Sequence, residues 1–564
     1  MKRPRSIVLN LLPYLAVIIA SLPFLTVGFP DGHDSSYGLV RVAEFKASLA
    51  NGQFPPYWGN NLYGGYGSPI FLFYAPLYLF VSTICSVFAR SVAGGMILAV
   101  IIFSLVAVFG AKLMLREALG EHAFETEAAS RVATYFFILN PYLLGDIFIR
   151  NAFSEYVALC LSPFALYSLL SIRNRPLGGG LILATSLALT ITAHNLTALT
   201  VSALLAAAAL FLYPPVKTPL RFWRMIVATI GLGLALAAFF WLPAIYYVST
   251  VRSDQNVLGK FDFHNNFPAL GNLFGYDEFF SAGLLTPFVM VVAAAILLCD
   301  SERIELTSRR LLQFALSGSI FSLFLQFRAS NIVWETVPYL PYFQFPWRMM
   351  GPLALLTAIA AGIAFAHLCR GKPRKIVWTR EGLLLSFCIL NAIPHLRGAR
   401  PLPQKVSGQL GVVLRPENIK NFGLSATFSN EYLPRLADAN AWRLQRAAVG
   451  PVVRTVPPAE LKVIEDTGTR IILETNNGTA AQLQLGRWAF TGWDCRINGE
   501  ACVLGMNGIG ALEISVPAGL RRIVLELHPP LLRQIMLWVS LASLIIWLVM
   551  LITILRAKNV GSHP

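Results

Sequence analysis

Runs of about 20 apolar residues recur from one end of this chain to the other, each long enough to cross a ~30 Å hydrocarbon layer as a helix. That pattern rules out a soluble globule before any motif is read. Hydrophobic residues make up 55% of the 564 and charged residues only 13%, about half the charged share of a soluble domain. Mean hydropathy is +0.60. The first run, Ile7 to Val27, follows a basic stub and lacks a small-residue cleavage site, so it reads as an anchor rather than a removed signal peptide.

A net charge of +16 would suit a nucleic-acid binder, but the placement of Lys and Arg argues against that partner. These residues gather in short loops on alternate sides of the apolar runs, as the positive-inside rule expects. With the N-terminus inside, the cytoplasmic loops hold Lys112, Arg116 and Arg131, then Arg173 and Arg175, then Lys217, Arg221 and Arg224. Arg303, Arg309 and Arg310 follow, then Arg370 to Arg380, then Arg556 and Lys558. The sidedness holds only if the stretch 70–88 does not cross, and it is read as a helix in the outer interface. The remaining runs predict twelve crossings, at 7–27, 92–113, 131–147, 153–171, 178–193, 196–213, 224–243, 284–299, 311–327, 349–368, 382–395 and 531–555.

Three regions follow. Residues 1–395 form a transmembrane domain with an outer loop at 28–91, residues 396–530 a water-exposed β-rich domain on the same side, and 531–564 a last helix and cytoplasmic tail. Alternating stretches such as 470–474 and 522–526 are the strand signal. Within this domain Asn498-Gly499 lies midway between Cys495 and Cys502, and a two-residue turn there sets the cysteines opposite each other. A disulfide is one outcome in an oxidising compartment. Two thiols are the other, because the register places them at a hydrogen-bonded pair.

Four polar clusters fall on the outer side. The first is Asp31, His33, Asp34 and Arg41, followed by a Gly- and aromatic-rich stretch from Trp58 to Leu77. The second is Asp146, Arg150 and Glu155, the third His194-Asn195, and the fourth Phe343 to Arg348. Each also has a plainer reading. The aspartates can be solvated helix caps, Arg150 and Glu155 can simply pair, and His194 can cap a turn between helices. Trp347-Arg348 can be an interfacial anchor, and the aromatic stretch can be packing. Ionisable groups near membrane depth lean functional, and four such clusters on one face weigh more than any one alone.

The run Asp34-Ser-Ser-Tyr-Gly-Leu-Val-Arg41, with Asn51 to Trp58, Tyr63 to Pro69, Phe73 to Leu77, Asn140-Pro-Tyr142, His194-Asn-Leu-Thr197 and Phe345-Pro-Trp-Arg348, resembles a bacterial membrane family. That family is catalogued as pyruvoyl-tetrahydropterin synthase related and belongs with the GT-C glycosyltransferases. The tail from Gly492 to Gly519 is similar to the β-sandwich ending of related large transferases. The resemblance implies a GT-C-like polytopic fold, an amphipathic outer loop, and an acidic residue in it acting as catalytic base or metal ligand. Asp34 is the matching position. Relatives often carry a His four residues later, where this chain has Gly38, which puts the metal in doubt. A divalent cation stays open and no other cofactor is called for.

The implied reaction moves a sugar from a polyprenyl-phosphate donor to a glycan or lipid acceptor outside a bacterial inner membrane. Asp34 would take the acceptor's proton. Arg150, His194 and Arg348 would stabilise the leaving phosphate, with Asp31, His33, Arg41, Asp146, Glu155 and Asn195 in support. Tyr66, Phe71, Phe73 and Tyr74 would line a groove for the isoprenoid tail. A lipid or glycan transporter and a non-catalytic assembly factor are the competing classes. The first would favour repeated halves with charge near the midplane; the second would tolerate Asp34→Asn.

Overall fold

The computed structural model describes residues 4–120, 124–214, 217–274, 281–404, 408–438 and 453–560. Among them, seven helices are long and apolar enough to cross a membrane, and three further bent pairs raise the number to ten if each pair is one span. The pairs are Phe124–Ile138 with Pro141–Arg150, Leu220–Leu236 with Ala238–Thr250, and Leu306–Phe324 with Arg328–Thr336, bent by 45°, 74° and 91°. The helix Phe153–Ser171 and the segment Pro346–Cys369 are each 94% buried along their apolar stretches and form the centre, whereas Leu531–Arg556 is 11% buried and lies at the rim.

Two expectations about this region need correction. Arg131 is not a loop cation: it lies inside the helix Phe124–Ile138, is 4% exposed, and donates to both oxygens of Glu381 at 2.6 and 2.7 Å. Hydropathy alone starts the helix too late, because paired charges let its polar first turns be buried. The stretch 70–88 is not one helix. It breaks at Tyr74-Ala-Pro76 into Ile70–Phe73 and Leu77–Phe88, and the 12 residues of the second piece span about 18 Å, short of a ~30 Å core.

Among the described residues the strands begin at Val453. Residues 399–404 and 408–438 run instead as turns and short helices over the outer loop, touching it through carbonyls and rings. Among the described residues the β domain has nine strands, β1 (Val453–Val456), β2 (Glu460–Asp466), β3 (Arg470–Asn477), β4 (Ala481–Trp488), β5 (Trp493–Ile497), β6 (Glu500–Ala501), β7 (Leu504–Met506), β8 (Ala511–Val516) and β9 (Gly519–Leu527). They form two antiparallel sheets, ordered β1-β4-β8-β7 and β2-β3-β9-β5-β6. The two alternating stretches picked out in the sequence are direct partners, with Arg470 opposite Glu526 and Ile472 opposite Val524. Asn498 and Gly499, both at positive φ, close the β5–β6 hairpin. Beyond it Cys495 and Cys502 are joined as a disulfide, with Cα atoms 5.2 Å apart.

The β domain sits on the outer loop. Trp488 N–H donates to the Tyr66 carbonyl at 3.0 Å, the two rings lie 4.5 Å apart, and the Tyr57 hydroxyl donates to the Leu527 carbonyl at 2.6 Å. Gly67 makes this fit possible: at φ +84 it leaves no room for a Cβ, which would stand 2.2 Å from the Trp58 indole nitrogen. The groove expected from aromatic residues is therefore largely closed. Tyr66, Phe71 and Phe73 are 5%, 2% and 2% exposed, packed on Trp488, Phe45 and Tyr432. Only Tyr74 keeps an open edge.

Candidate active site

The site is built from a broken helix. Pro141 cannot continue the hydrogen-bond ladder of Phe124–Ile138 and biases the preceding residue toward extended backbone. Asn140 takes that conformation and its side chain accepts from the Tyr142 N–H at 3.0 Å, starting a new turn with proline at its first position. The chain then widens into a π-helical turn over Asp146–Arg150 and ends at Asn151, which is left-handed at φ +55. Such widened turns gather at functional sites. This one sends Arg150 back toward Asp146 and forward toward Glu155, in the first turn of the next helix.

The resulting cluster is fully enclosed. Asp146 is 0% exposed, Glu155 4% and Arg150 7%. The Arg150 guanidinium donates to Asp146, to the Tyr142 hydroxyl at 3.1 Å and to Glu155 at 2.9 Å, while Tyr142 donates to the other Glu155 oxygen at 2.5 Å. Its flat face lies 4.5 Å from the Trp347 ring. The pairing of Arg150 with Glu155, the plainer reading of this motif, is thus present, with Asp146 as a second carboxylate.

Arg348 reaches the same centre from the turn Pro346–Met349, with Nε 3.6 Å from Glu155 and Nη1 donating to the Phe343 carbonyl at 3.2 Å. The Phe343–Arg348 loop is held by two non-glycine residues at positive φ, Tyr339 and Gln344. Arg348 Nε is buried without a hydrogen-bond acceptor, and so is the second oxygen of Asp146 without a donor. Arg150 gives three hydrogen bonds to its neighbours, whereas Arg348 gives one, to the Phe343 carbonyl.

The outer loop reaches the cluster through its backbone. His33 N–H donates to the Ile149 carbonyl and Asp34 N–H to the Arg150 carbonyl, each at 3.0 Å. Gly32 permits this approach, since a Cβ there would meet the Ile149 carbonyl oxygen at 2.6 Å. Asp34 then starts the helix Ser35–Ala50 with an exposed carboxylate that makes no cap hydrogen bond. Asp31 is held by Ser35, whose hydroxyl donates to it at 3.3 Å. Arg41 is buried on the same helix, gives two hydrogen bonds to the Ala426 carbonyl, and stacks 3.8 Å over Tyr74. Tyr74 in turn meets the hydroxyl of Ser154, next to Glu155.

His194 ends one span and caps the next, its Nδ1 facing the Thr197 N–H at 3.3 Å and the Thr197 hydroxyl at 2.8 Å. Desolvation is the main cause that lowers its pKa, to about 4, against the pull of Glu155. At neutral pH it can offer a hydrogen bond but no charge. Asn195 donates to the Phe73 carbonyl at 3.3 Å, tying this turn to the outer loop. The residues given no role in the sequence are Tyr142, which with Trp347 of the fourth cluster frames Arg150, and Tyr432, which stacks on Phe73. Tyr142 was within the quoted motif; nothing local marks Tyr432.

Among the described residues no three His, Cys, Asp or Glu side chains gather as a metal cage. The buried carboxylates of the cluster are already bound to Arg150. Asp146 and Glu155 are thus committed to the ion pair, and no step is assigned to a cation.

No family model and no curated protein sequence matches the chain, so the family resemblance rests on the quoted motifs alone. Several solved membrane enzymes are similar in structure. An oligosaccharyltransferase from Archaeoglobus fulgidus aligns over 75% of this chain and 61% of its own, at 12% identity and TM-score 0.40. The arabinofuranosyltransferase AftD from Mycobacteria aligns over 70% and 27%, at 17% identity and TM-score 0.43. ArnT from Cupriavidus metallidurans, solved with undecaprenyl phosphate bound, aligns over 80% and 82%, at 14% identity and TM-score 0.37. These neighbours are glycosyltransferases. With every TM-score below 0.5, the likenesses decide nothing about the chemistry of this chain.

Proposed function

We propose that the chain is an integral membrane glycosyltransferase of GT-C-like architecture. It moves a sugar from a polyprenyl-phosphate donor to a lipid-linked or envelope-glycan acceptor on the periplasmic face of a bacterial inner membrane. The twelve-span reading counts the seven long helices, the three bent pairs, and the shorter helices at Leu12–Val27 and Leu285–Cys299. The observation that carries the proposal is the junction of Asp34 with Arg150: an exposed carboxylate is strapped by backbone to an enclosed cluster of paired charges.

In this reading the acceptor hydroxyl attacks the anomeric carbon as Asp34 takes its proton. The new bond is oxygen to carbon; the bond that breaks joins that carbon to the donor phosphate. The polyprenyl phosphate leaves with one more negative charge and needs no general acid. Arg348 is assigned to meet that charge, because its Nε has no acceptor, and a donor aimed at developing charge in a dry site is worth several kcal/mol. Arg150 is fixed by Asp146, Tyr142 and Glu155 but keeps its Nε without a partner among the described residues, so it supports Arg348 at the phosphate, and neutral His194 contributes a hydrogen bond at most. A single displacement inverts the anomeric centre.

The test compares cell-envelope glycans, by mass spectrometry, between a deletion strain complemented with wild type and one complemented with Asp34→Asn at matched expression. A general base contributes about 10²- to 10⁴-fold, so the product should fall at least about a hundredfold. An unchanged glycan profile in the Asn variant would remove the assignment.

A further inference from the structure

An unbroken series of aromatic rings runs from the enclosed arginines to open water. Trp347, which stacks on Arg150, lies 4.8 Å from Phe345 in parallel. Phe345 meets Phe261 at 6.2 Å, Phe261 meets Phe428 at 6.3 Å, and Phe428 meets Tyr37 at 6.1 Å, all edge to face. Tyr37 sits one turn beyond Asp34 on the same helix, a spacing that puts both on one side of it. Phe428 is 57% exposed. The exposed Lys260 places its ammonium 3.3 Å over the Phe428 ring, and no carboxylate among the described residues pairs with it.

Phe261 and Phe428 are carried by two segments clasped through their backbones. Arg252 N–H donates to the Leu433 carbonyl at 3.1 Å and Arg435 N–H to the Thr250 carbonyl at 2.9 Å. The two segments are thus fixed to each other as a formed surface rather than left as loose loops. None of the four catalytic or phosphate assignments uses Tyr37, Phe261, Phe428 or Lys260.

The geometry points to a saccharide platform at the mouth of the site, in which Tyr37, Phe261 and Phe428 stack on a sugar ring of the acceptor and Lys260 hydrogen-bonds its oxygens. This inference rests on the glycosyl-transfer reading above. Aromatic faces are negative and attract the polarised C–H bonds on one side of a sugar, while hydroxyls need donors and acceptors at the rim. An isoprenoid would want continuous apolar surface, and here an ammonium sits on the most open ring. The place also suits an acceptor, since Asp34 stands between the platform and the arginine cluster and must reach the attacking hydroxyl.

The full-length chain in detergent micelles tests this by saturation-transfer NMR with maltotriose, α-1,6-mannotriose and trigalacturonate as probes. Affinity for undecaprenyl phosphate is measured in parallel. Wild type should transfer saturation to at least one saccharide, and Phe428→Ala should cut that signal fivefold or more, with thermal unfolding and undecaprenyl phosphate affinity unchanged. Lys260→Met should cut it at least twofold. The platform is overturned if no saccharide is saturated by wild type, or if Phe428→Ala leaves the signal intact. It is equally overturned if Phe428→Ala weakens undecaprenyl phosphate binding instead, which would make the ring a lipid contact. Failure of the parent reading shows separately, as wild type that does not bind undecaprenyl phosphate at all.

Discussion

Arg150 and Arg348 share one carboxylate, at 2.9 and 3.6 Å from Glu155, yet their surroundings give them different work. Removing Arg150 would leave Asp146 buried without its ion-pair partner and Glu155 with Arg348 alone, and stranding one partner of a buried ion pair costs about 3–5 kcal/mol. Arg150→Gln is therefore expected to lower the thermal midpoint severely. Arg348→Gln strands less, and should melt close to wild type while binding undecaprenyl phosphate at least about tenfold more weakly, roughly 1.4 kcal/mol. If both variants lose stability alike, Arg348 is structural and its phosphate role ends. The ion pair itself was legible in the sequence, because ionisable residues at membrane depth are rare enough to single out. How far it is engaged was not: the number of donors a guanidinium has committed depends on Tyr142 and the widened turn, which spacing does not reveal.

Elements were legible where one physical signal dominated. Long apolar runs found the spans, and alternation found β3 and β9 as strands. Elements were misread where two environments ask for the same residues. Aromatic side chains suit a lipid groove, a protein core and a domain contact alike, so Tyr66, Phe71 and Phe73 carried no mark of their true burial. Residues 399–438 looked like the β domain because both lack long apolar runs, and Tyr432 and Phe428 were lost with them. One element carries its own titration. His264, on the segment that bears Phe261, bridges Asp262 and Glu335 at 2.6 and 3.2 Å. Those hydrogen bonds, Asp262 first, raise its pKa above the ordinary value. The stabilisation is therefore full below the unfolded pKa of about 6.5 and is lost as pH rises through the folded value. Wild type should melt above His264→Gln at pH 5.5 and level with it at pH 8.5; a constant gap across that range would contradict the bridge.

For the whole molecule, threading decides whether the site exists. If Leu77–Phe88 does not cross, Asn51 and Arg90, both exposed, face the same compartment. Single cysteines at the two positions should react equally with an impermeant maleimide on intact spheroplasts, and labelling of only one would reverse every later span. The disulfide makes a second statement about compartment. A non-reducing peptide map should recover Cys495 and Cys502 in one linked species, and replacing both by Ser should cost the β domain about 2–3 kcal/mol on the chain-entropy account.

The seating of Trp488 on Tyr66 has a practical corollary for anyone cutting this chain into pieces. The β-sheet module is also the roof of the loop that bears Asp34, so deleting it would uncover Tyr57, Trp58 and Tyr66. A truncated membrane half would be sticky and inert for that reason alone, and its silence would say nothing about whether the module recognises anything.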